Sequence, residues 1–509
     1  MCGIAGIVGV SQQAVRAALA QMNGCMVHRG PDDQGVELVS VNDSWVGLAQ
    51  RRLSIIDLSS AGHQPMVNPE TGDMLIYNGE LYSFQRLRRR LEGDGVRFVG
   101  HSDTEVILHA LRRYGPSCIS EMEGMYAFAF LDRLAGKLIL ARDPMGIKPL
   151  YTSELPERSG RGLMFASEVR AMLAPGMLDP NIELRGLAGL LAHGAVPEPL
   201  TIFRGLRMFP AGCYQTYQIG RAGQVRPEAV RPHWTFAPPD PAITPAEAVM
   251  SVRSALDAAV KDHLISDVPV GVFLSSGLDS TIVAALAAKH SPRIRAFTVG
   301  FADAPDMSEA PLAAETARLF GMEFRDIQIT GGSALGMMER WLRSMDQPSA
   351  DGLNTYVVSK AVRDEGIIVA LSGLGGDELF GGYSSFRDVP RIRRAMARMA
   401  WLPPGVRAWL MSLSGLGRPG QVREKLADMG RTGADLSGLY VHRRRMMSNR
   451  RVTALGLDWR SLGMSDSYLT EDGLASAAIE ADLERSDPVA AVSRLESVRY
   501  MRSTLLRDS

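Results

Sequence analysis

The chain has 509 residues, 46% of them hydrophobic and 22% charged, with 56 Lys and Arg against 56 Asp and Glu. At roughly 100–200 residues per domain this length favours two to four domains. The composition excludes a disordered or fibrous chain. The zero net charge argues against a dedicated nucleic-acid binder, and no apolar run approaches the ~18 residues of a membrane span.

Cys2, Cys25, Cys118 and Cys213 are widely spaced, with no Cys-x-x-Cys pair, which fits free thiols in a reducing compartment. The N-terminus lacks the basic segment and apolar core of a signal peptide. A cytoplasmic enzyme is the expectation.

Residues 1 to about 215 alternate strands and turns, with β-like runs at 4–10, 75–78, 126–132 and 137–142. Residues 85–92 and 105–113 have helical apolar spacing. Pro227, Pro232, Pro238, Pro239, Pro241 and Pro245 then crowd about 19 residues, so 216–245 reads as an extended linker. From 246 the pattern alternates: helix 245–264, strand 268–274, helix 280–289, strand 294–301 and helix 309–320. Helix 355–364, strand 367–371 and a glycine-rich turn repeat it. Strand–turn–helix alternation predicts a parallel α/β sheet.

Residues 387–451 hold 14 Arg and one Lys against four acidic residues, a surplus of 11. Arg391, Arg393, Arg394 and Arg398 are expected on one helix side, either as a solvated basic face or as a site for an anionic acceptor or acidic partner.

Cys2 follows the initiator Met. Removal of Met1 would free an α-amine with an ordinary pKa near 7.7–8.0, able to act as the thiol's general base. Behind it come Met-Cys-Gly-Ile-Ala-Gly-Ile, His28-Arg29-Gly30-Pro31-Asp32, Arg52-Leu53-Ser54-Ile55-Ile56-Asp57, Tyr77-Asn78-Gly79-Glu80 and Ser102-Asp103-Thr104-Glu105. Asn-Gly alone is a hairpin signal. In this ordered company the first 210 or so residues resemble the glutaminase domain of class II, N-terminal-nucleophile amidotransferases. The resemblance implies a four-layer αββα fold and Cys2 as nucleophile. Arg52, rather than Arg51, would grip the glutamine carboxylate in the Ile56 loop, and Asp103 and Glu80 would receive the ammonium. The Asn78 side chain and Gly79 N–H would form an oxyanion hole. Cys25, Cys118 and Cys213 match no motif and read as buried, inert thiols.

Leu274-Ser275-Ser276-Gly277-Leu278-Asp279-Ser280 joins an apolar strand to a helix, the setting in which backbone N–H groups and a helix N-terminus hold an anion. The loop lacks the Walker Gly-Lys pair. It resembles the pyrophosphate loop of the ATP pyrophosphatases, with Ser276 in place of a glycine. Val299, in the Phe297–Phe301 run, corresponds to the adenine-contacting strand. Ser372 and Gly373, in Ser372-Gly373-Leu374-Gly375-Gly376-Asp377, correspond to a second nucleotide loop. By this resemblance Asp279 and Asp377 would hold Mg2+.

Glutaminase followed by pyrophosphatase loop is the order of the glutamine-hydrolysing asparagine synthetases, and the resemblance covers nearly the whole chain: 1–215 a glutaminase domain, 216–245 a linker, 246–509 an ATP-pyrophosphatase domain. It implies glutamine, ATP and a carboxylate acceptor as partners, no nucleic acid and no membrane, with a homodimer left open. Leu374 stands where the family carries Glu. Two acceptor readings follow, aspartate or another carboxylate such as a sugar uronate or natural-product acid. A scaffold with an impaired synthetase half, or a glutaminase alone, are the remaining alternatives. The family continues into further helices after a segment like Tyr500 to Ser509, so a C-terminal segment beyond Ser509 is expected.

Overall fold

The computed structural model describes residues 1–157, 161–304, 306, 308–459, 461–464 and 487–507. Residues 508 and 509 of the terminal segment lie outside the described residues.

The first half carries two antiparallel sheets. One runs β10(Arg207–Met208), β8(Tyr151–Leu155), β9(Gly162–Ala166), β1(Gly3–Gly9), β3(Ser44–Arg52), β2(Asp33–Val41). The other runs β12(Val225–Pro227), β11(Cys213–Ile219), β7(Lys137–Arg142), β6(Gly124–Asp132), β5(Met74–Leu81), β4(Met66–Val67), with β13(Arg231–Pro232) also paired to β11. Strand alternation sorts the side chains. Met74 and Ile76 of β5 point into the inter-sheet core with Ile4, Val8, Val46 and Leu48. Leu75 and Tyr77, one residue out of phase, pack under Val106, Ile107 and Leu111 of helix Asp103–Tyr114. Ala5 and Ile7 face Val15, Leu19 and Met22 of helix Gln12–Cys25. The layers are therefore helix, sheet, sheet, helix, the expected αββα order.

The second half holds a wholly parallel sheet, β16(Glu323–Ile329), β15(Arg295–Phe301), β14(Val270–Phe273), β17(Val369–Leu371). Val272, Leu274 and Ala296 pack against alanines 284, 287, 313 and 317 of two helices, while Phe297 packs on Val362 and Ile367, so both faces are covered. Later helices build a separate core from Val389, Met396, Leu436, Leu439, Val492 and Leu495, which also takes Ala188 and Ala192 from helix Leu184–His193 of the first half.

Two expectations change. The segment 216–245 is not all linker: Thr216–Ile219 continue β11, and β12 and β13 pair with β11, so the strandless stretch is 233–244. Pro227 and Pro232 are tolerated because they lie on short strands at the sheet edge, where a missing N–H breaks little. Within helix Ser385–Arg398, Arg391, Arg394 and Arg398 are exposed and Arg393 is half-buried. Two residues turn a helix by about 200°, which takes Arg393 off the shared face. Three of the segment's four acids are paired within it, Asp388 with Arg443, Glu424 with Arg451 and Asp428 with Arg431, and of the surplus Arg444 pairs with Glu496 outside the segment.

Candidate active sites

Cys2 leads into β1, whose Gly3–Gly9 run is wholly buried. The Cys2 sulfur accepts the Leu53 N–H at 3.4 Å, and Arg29 Nε donates to the Cys2 carbonyl at 2.9 Å while its guanidinium bonds Glu168 at 3.0 Å. Burial raises the thiol pKa, and the adjacent amine opposes that. Burial pushes the Met1 amine down to about 5, so it is neutral at pH 7.

Arg52 is buried at the end of β3. Its guanidinium donates to the carbonyls of Ile56 (3.1 Å), Asp57 (2.6 Å) and Ser59 (3.3 Å), curling the 56–59 loop around it. Asp57, with φ +60°, makes that loop possible, and its buried carboxylate accepts from Ser59 N, Ser59 Oγ and His101 N.

Asn78, Gly79 and Glu80 lie consecutively on β5, opposite Ala127, Tyr126 and Met125. They are strand residues and not the hairpin turn that Asn-Gly alone would form. The Asn78 Nδ2 is buried with no hydrogen-bond partner, a condition that folded proteins rarely leave without a use. A side chain at Gly79 would meet the Met125 carbonyl oxygen at 2.3 Å. Asp103 opens helix Asp103–Tyr114, which Ser102 caps. Its carboxylate accepts from Leu81 N at 2.9 Å and Tyr77 Oη at 3.0 Å. Burial raises the pKa of Asp103 despite those donors, and burial followed by the Asp103 charge raises that of Glu80. Lys148 is buried beside them and its pKa is lowered by burial against the pull of Glu80 and Asp143. The charges of Glu80 and Lys148 both act on Cys2.

The second constellation is a cavity of about 690 Å3 at the C-terminal end of β14. Leu274, Ser275, Gly277, Leu278, Asp279, Ser280, Val299, Gly373 and Asp377 line it. Ser276, Ser372 and Leu374 do not. The Ser275 and Ser280 hydroxyls bond each other at 2.8 Å and close the turn. The exposed Ser276 gives its N–H to Glu309 at 3.4 Å and has no positive φ, so serine fits there without backbone strain. Ser372 accepts the Leu374 N–H at 3.4 Å, and Leu374 is 42% exposed. The Asp279 pKa is raised by burial and then by the Asp377 charge. A Cβ at Gly376 would lie 2.3 Å from the Asp279 carboxylate. Two carboxylates drawn together beside an anion-shaped loop suit Mg2+, which takes one or two protein carboxylates plus phosphate oxygens. Among the described residues no group of three or more His, Cys, Asp or Glu could form an all-protein metal site.

Cys118 and Cys213 are buried, and burial raises their thiols to about 12 and about 11; Cys25 is only half-buried. Sequence reasoning missed Lys148, a lone cation after Pro144-Met145-Gly146-Ile147 that carries no pattern of its own. It also missed Glu309 and Asn354, which line the same cavity as Asp279 and carry no local pattern. No helix among the described residues is long and apolar enough to cross a membrane.

Residues 1–228 match the glutamine amidotransferase domain family, and residues 251–509 match the asparagine synthase family. Among curated relatives, asparagine synthetase (glutamine-hydrolyzing) 1 of Bacillus subtilis is 33% identical over 441 residues, covering 85% of this chain and 66% of the relative. Asparagine synthetase B (glutamine-hydrolyzing) of Escherichia coli is 31% identical over 413 residues, covering 77% and 66%. A putative asparagine synthetase (glutamine-hydrolyzing) 2 of Methanocaldococcus jannaschii is 30% identical over 405 residues, covering 75% and 76%. The chain thus spans 66% of the length of the first two. With the synthase match alone taking in just over half of its residues, downstream of an amidotransferase half, the chain belongs to the asparagine synthetase family.

Proposed function

We propose that this chain is a glutamine-dependent amidotransferase that converts a carboxylic acid to its amide, with ATP cleaved to AMP and pyrophosphate. The observation that carries this reading is the pairing, in one chain, of two constellations. One is the half-buried Cys2 thiol, on which the Glu80 charge acts, with the unpartnered Asn78 Nδ2 two positions before Glu80 on β5. The other is a nucleotide-sized cavity edged by Asp279 and Asp377.

In the first half, the Cys2 sulfur attacks the glutamine amide carbon. The α-amine that Met1 removal exposes on Cys2 takes the thiol proton and passes it to the leaving nitrogen. Ammonia departs, and water resolves the thioester to glutamate and free thiol. The Asn78 Nδ2 and the Gly79 N–H stabilise the oxyanion, an arrangement whose single donors are worth roughly 10²–10³ in rate. Arg52 and the Ile56 loop bind the glutamine carboxylate; Glu80 and Asp103 bind the ammonium.

In the second half, the acceptor carboxylate attacks the α-phosphate of ATP. Pyrophosphate leaves and an acyl-adenylate forms. Ammonia displaces AMP, yielding the amide and a proton. Ser275 and Gly277 to Ser280 surround the phosphates with the helix N-terminus, Val299 contacts adenine, and Gly373 closes on the Asp279–Ser280 backbone. Mg2+ held by Asp279 and Asp377 would offset the phosphate charge.

The names of the relatives support aspartate as acceptor. Leu374 favours a second reading: an apolar, half-exposed side chain cannot take a proton from ammonia, so an acceptor other than aspartate has its own support. The four free cysteines support a cytoplasmic location. The test is incubation with glutamine, ATP, Mg2+ and a panel of carboxylic acids, with the amide identified by mass. Glutamate release without AMP, for every acid and with ammonia supplied, would overturn the synthetase assignment.

A further inference from the structure

The glutamine-carboxylate clamp is not held by the first half alone. Asp57, whose carbonyl accepts from Arg52 at 2.6 Å, donates its own N–H to the Asp267 carboxylate at 2.8 Å. The Asp267 N–H returns to the Ile55 carbonyl at 2.9 Å. The His101 ring lies between the two acids, 3.5 Å from the Asp57 carboxylate and 3.5 Å from that of Asp267. Asp267 belongs to the synthase-matched part of the chain, three residues before β14, which ends at the nucleotide loop. The approach to it is docked as well. The His263 ring packs tilted against Tyr82 at 4.2 Å between centroids, and Ile265 packs against the first half's Leu75 and Tyr77 cluster.

We propose that Asp267 is a positioning residue through which the synthetase half holds the 52–59 loop in the shape that grips the glutamine carboxylate. A loop pinned at Ile55 and Asp57 keeps the Ile56 and Asp57 carbonyls on the Arg52 guanidinium. Without the pin, part of the binding free energy goes into ordering the loop, and glutamine affinity falls while the chemistry at Cys2 is untouched. Asp267 itself stays outside the reacting atoms. The role rests on the glutamine site proposed above, and the experiment separates the two.

Glutamine binding is measured by calorimetry on the full chain in a Cys2→Ala background, which prevents turnover, and glutamate release is followed with Cys2 present. Asp267→Ala should weaken glutamine roughly three- to tenfold, the range of one net hydrogen bond, and raise KM by the same factor with kcat unchanged. Asp267→Asn retains an oxygen acceptor and should stay near the parent. Ammonia-dependent AMP formation should be unaffected by either change. Unaltered affinity in Asp267→Ala would overturn the proposal. So would equal weakening by both variants, which assigns a charge effect, and so would a parallel fall in the ammonia-dependent reaction, which assigns general destabilisation. No glutamine binding by the Cys2→Ala parent would instead overturn the glutamine site itself.

Discussion

Asp279 and Asp377 sit in the first turns of two helices that line one cavity, and the Asp377 charge, added to burial, lifts the Asp279 carboxyl above its ordinary pKa. Like charges brought together in a folded site are relieved by a cation. Chelation of divalent metal is therefore expected to abolish AMP formation and leave glutamate release intact. Asp279→Asn should do the same at any Mg2+ concentration. Gly376→Ala, whose new methyl would sit 2.3 Å from the Asp279 carboxylate, should mimic that loss. Parallel assays of AMP and glutamate check all three.

Asn78→Ala removes a buried amide with no hydrogen-bond partner of its own. Nothing in the folded chain is left unpaired by the change, so the stability cost is that of a small cavity. The catalytic cost falls on kcat of glutamate release, by roughly 10²–10³ if Nδ2 is an oxyanion donor. Ammonia-dependent amide formation should persist. A small loss in kcat with raised KM would instead assign Asn78 to substrate binding.

The ordered motifs made both sites legible because each local pattern does a local job: Ser102 caps the helix that carries Asp103, and Ser275 and Ser280 close one turn. What escaped is what long-range packing decides. Lys148 has no motif of its own; it becomes a site neighbour only when the 143–148 loop folds back, its N–H groups on Asp143 and its Lys148 carbonyl on Arg142. Asp267 lies 210 positions from Asp57. Pro227 and Pro232 read as linker since their strands depend on β11 offering an edge.

Glu80 should leave a mark on stability against pH. Its carboxyl is raised first by burial and then by Asp103. Below the ordinary carboxylate range the folded and unfolded chains are both protonated, and the contribution is fully present. As pH rises through that range towards neutrality the unfolded chain gives up its proton while the folded chain holds it, so stability falls. Each tenfold difference in acidity between the folded and unfolded carboxyl is worth about 1.4 kcal/mol. Glu80→Gln should flatten this slope in thermal unfolding series between about pH 4 and about pH 8, and, under the proposed ammonium-binding role, should also weaken glutamine. An unchanged slope would mean that Glu80 ionises normally.

Glu496 is the anchor of the helical additions. It is fully buried and accepts from Ser385, from Tyr440 at 2.9 Å and from the Arg444 fork at 3.1 and 2.6 Å. Arg444 in turn lies over the rings of Tyr383 and Tyr500, at 4.3 and 4.0 Å. Removing one member of such a pair strands the other charge, at a cost of about 3–5 kcal/mol. Glu496→Leu should therefore lower the denaturation midpoint sharply. The double change with Arg444→Leu should recover part of the loss, since no charge is then stranded. Tyr383 also donates to Glu378 at 2.9 Å, and Glu378 adjoins Asp377. In the folded fraction of Glu496→Leu, ATP-dependent AMP formation should fall while glutamate release at Cys2 holds. A uniform loss of both activities would show that the pair supports the whole chain and not the nucleotide loop.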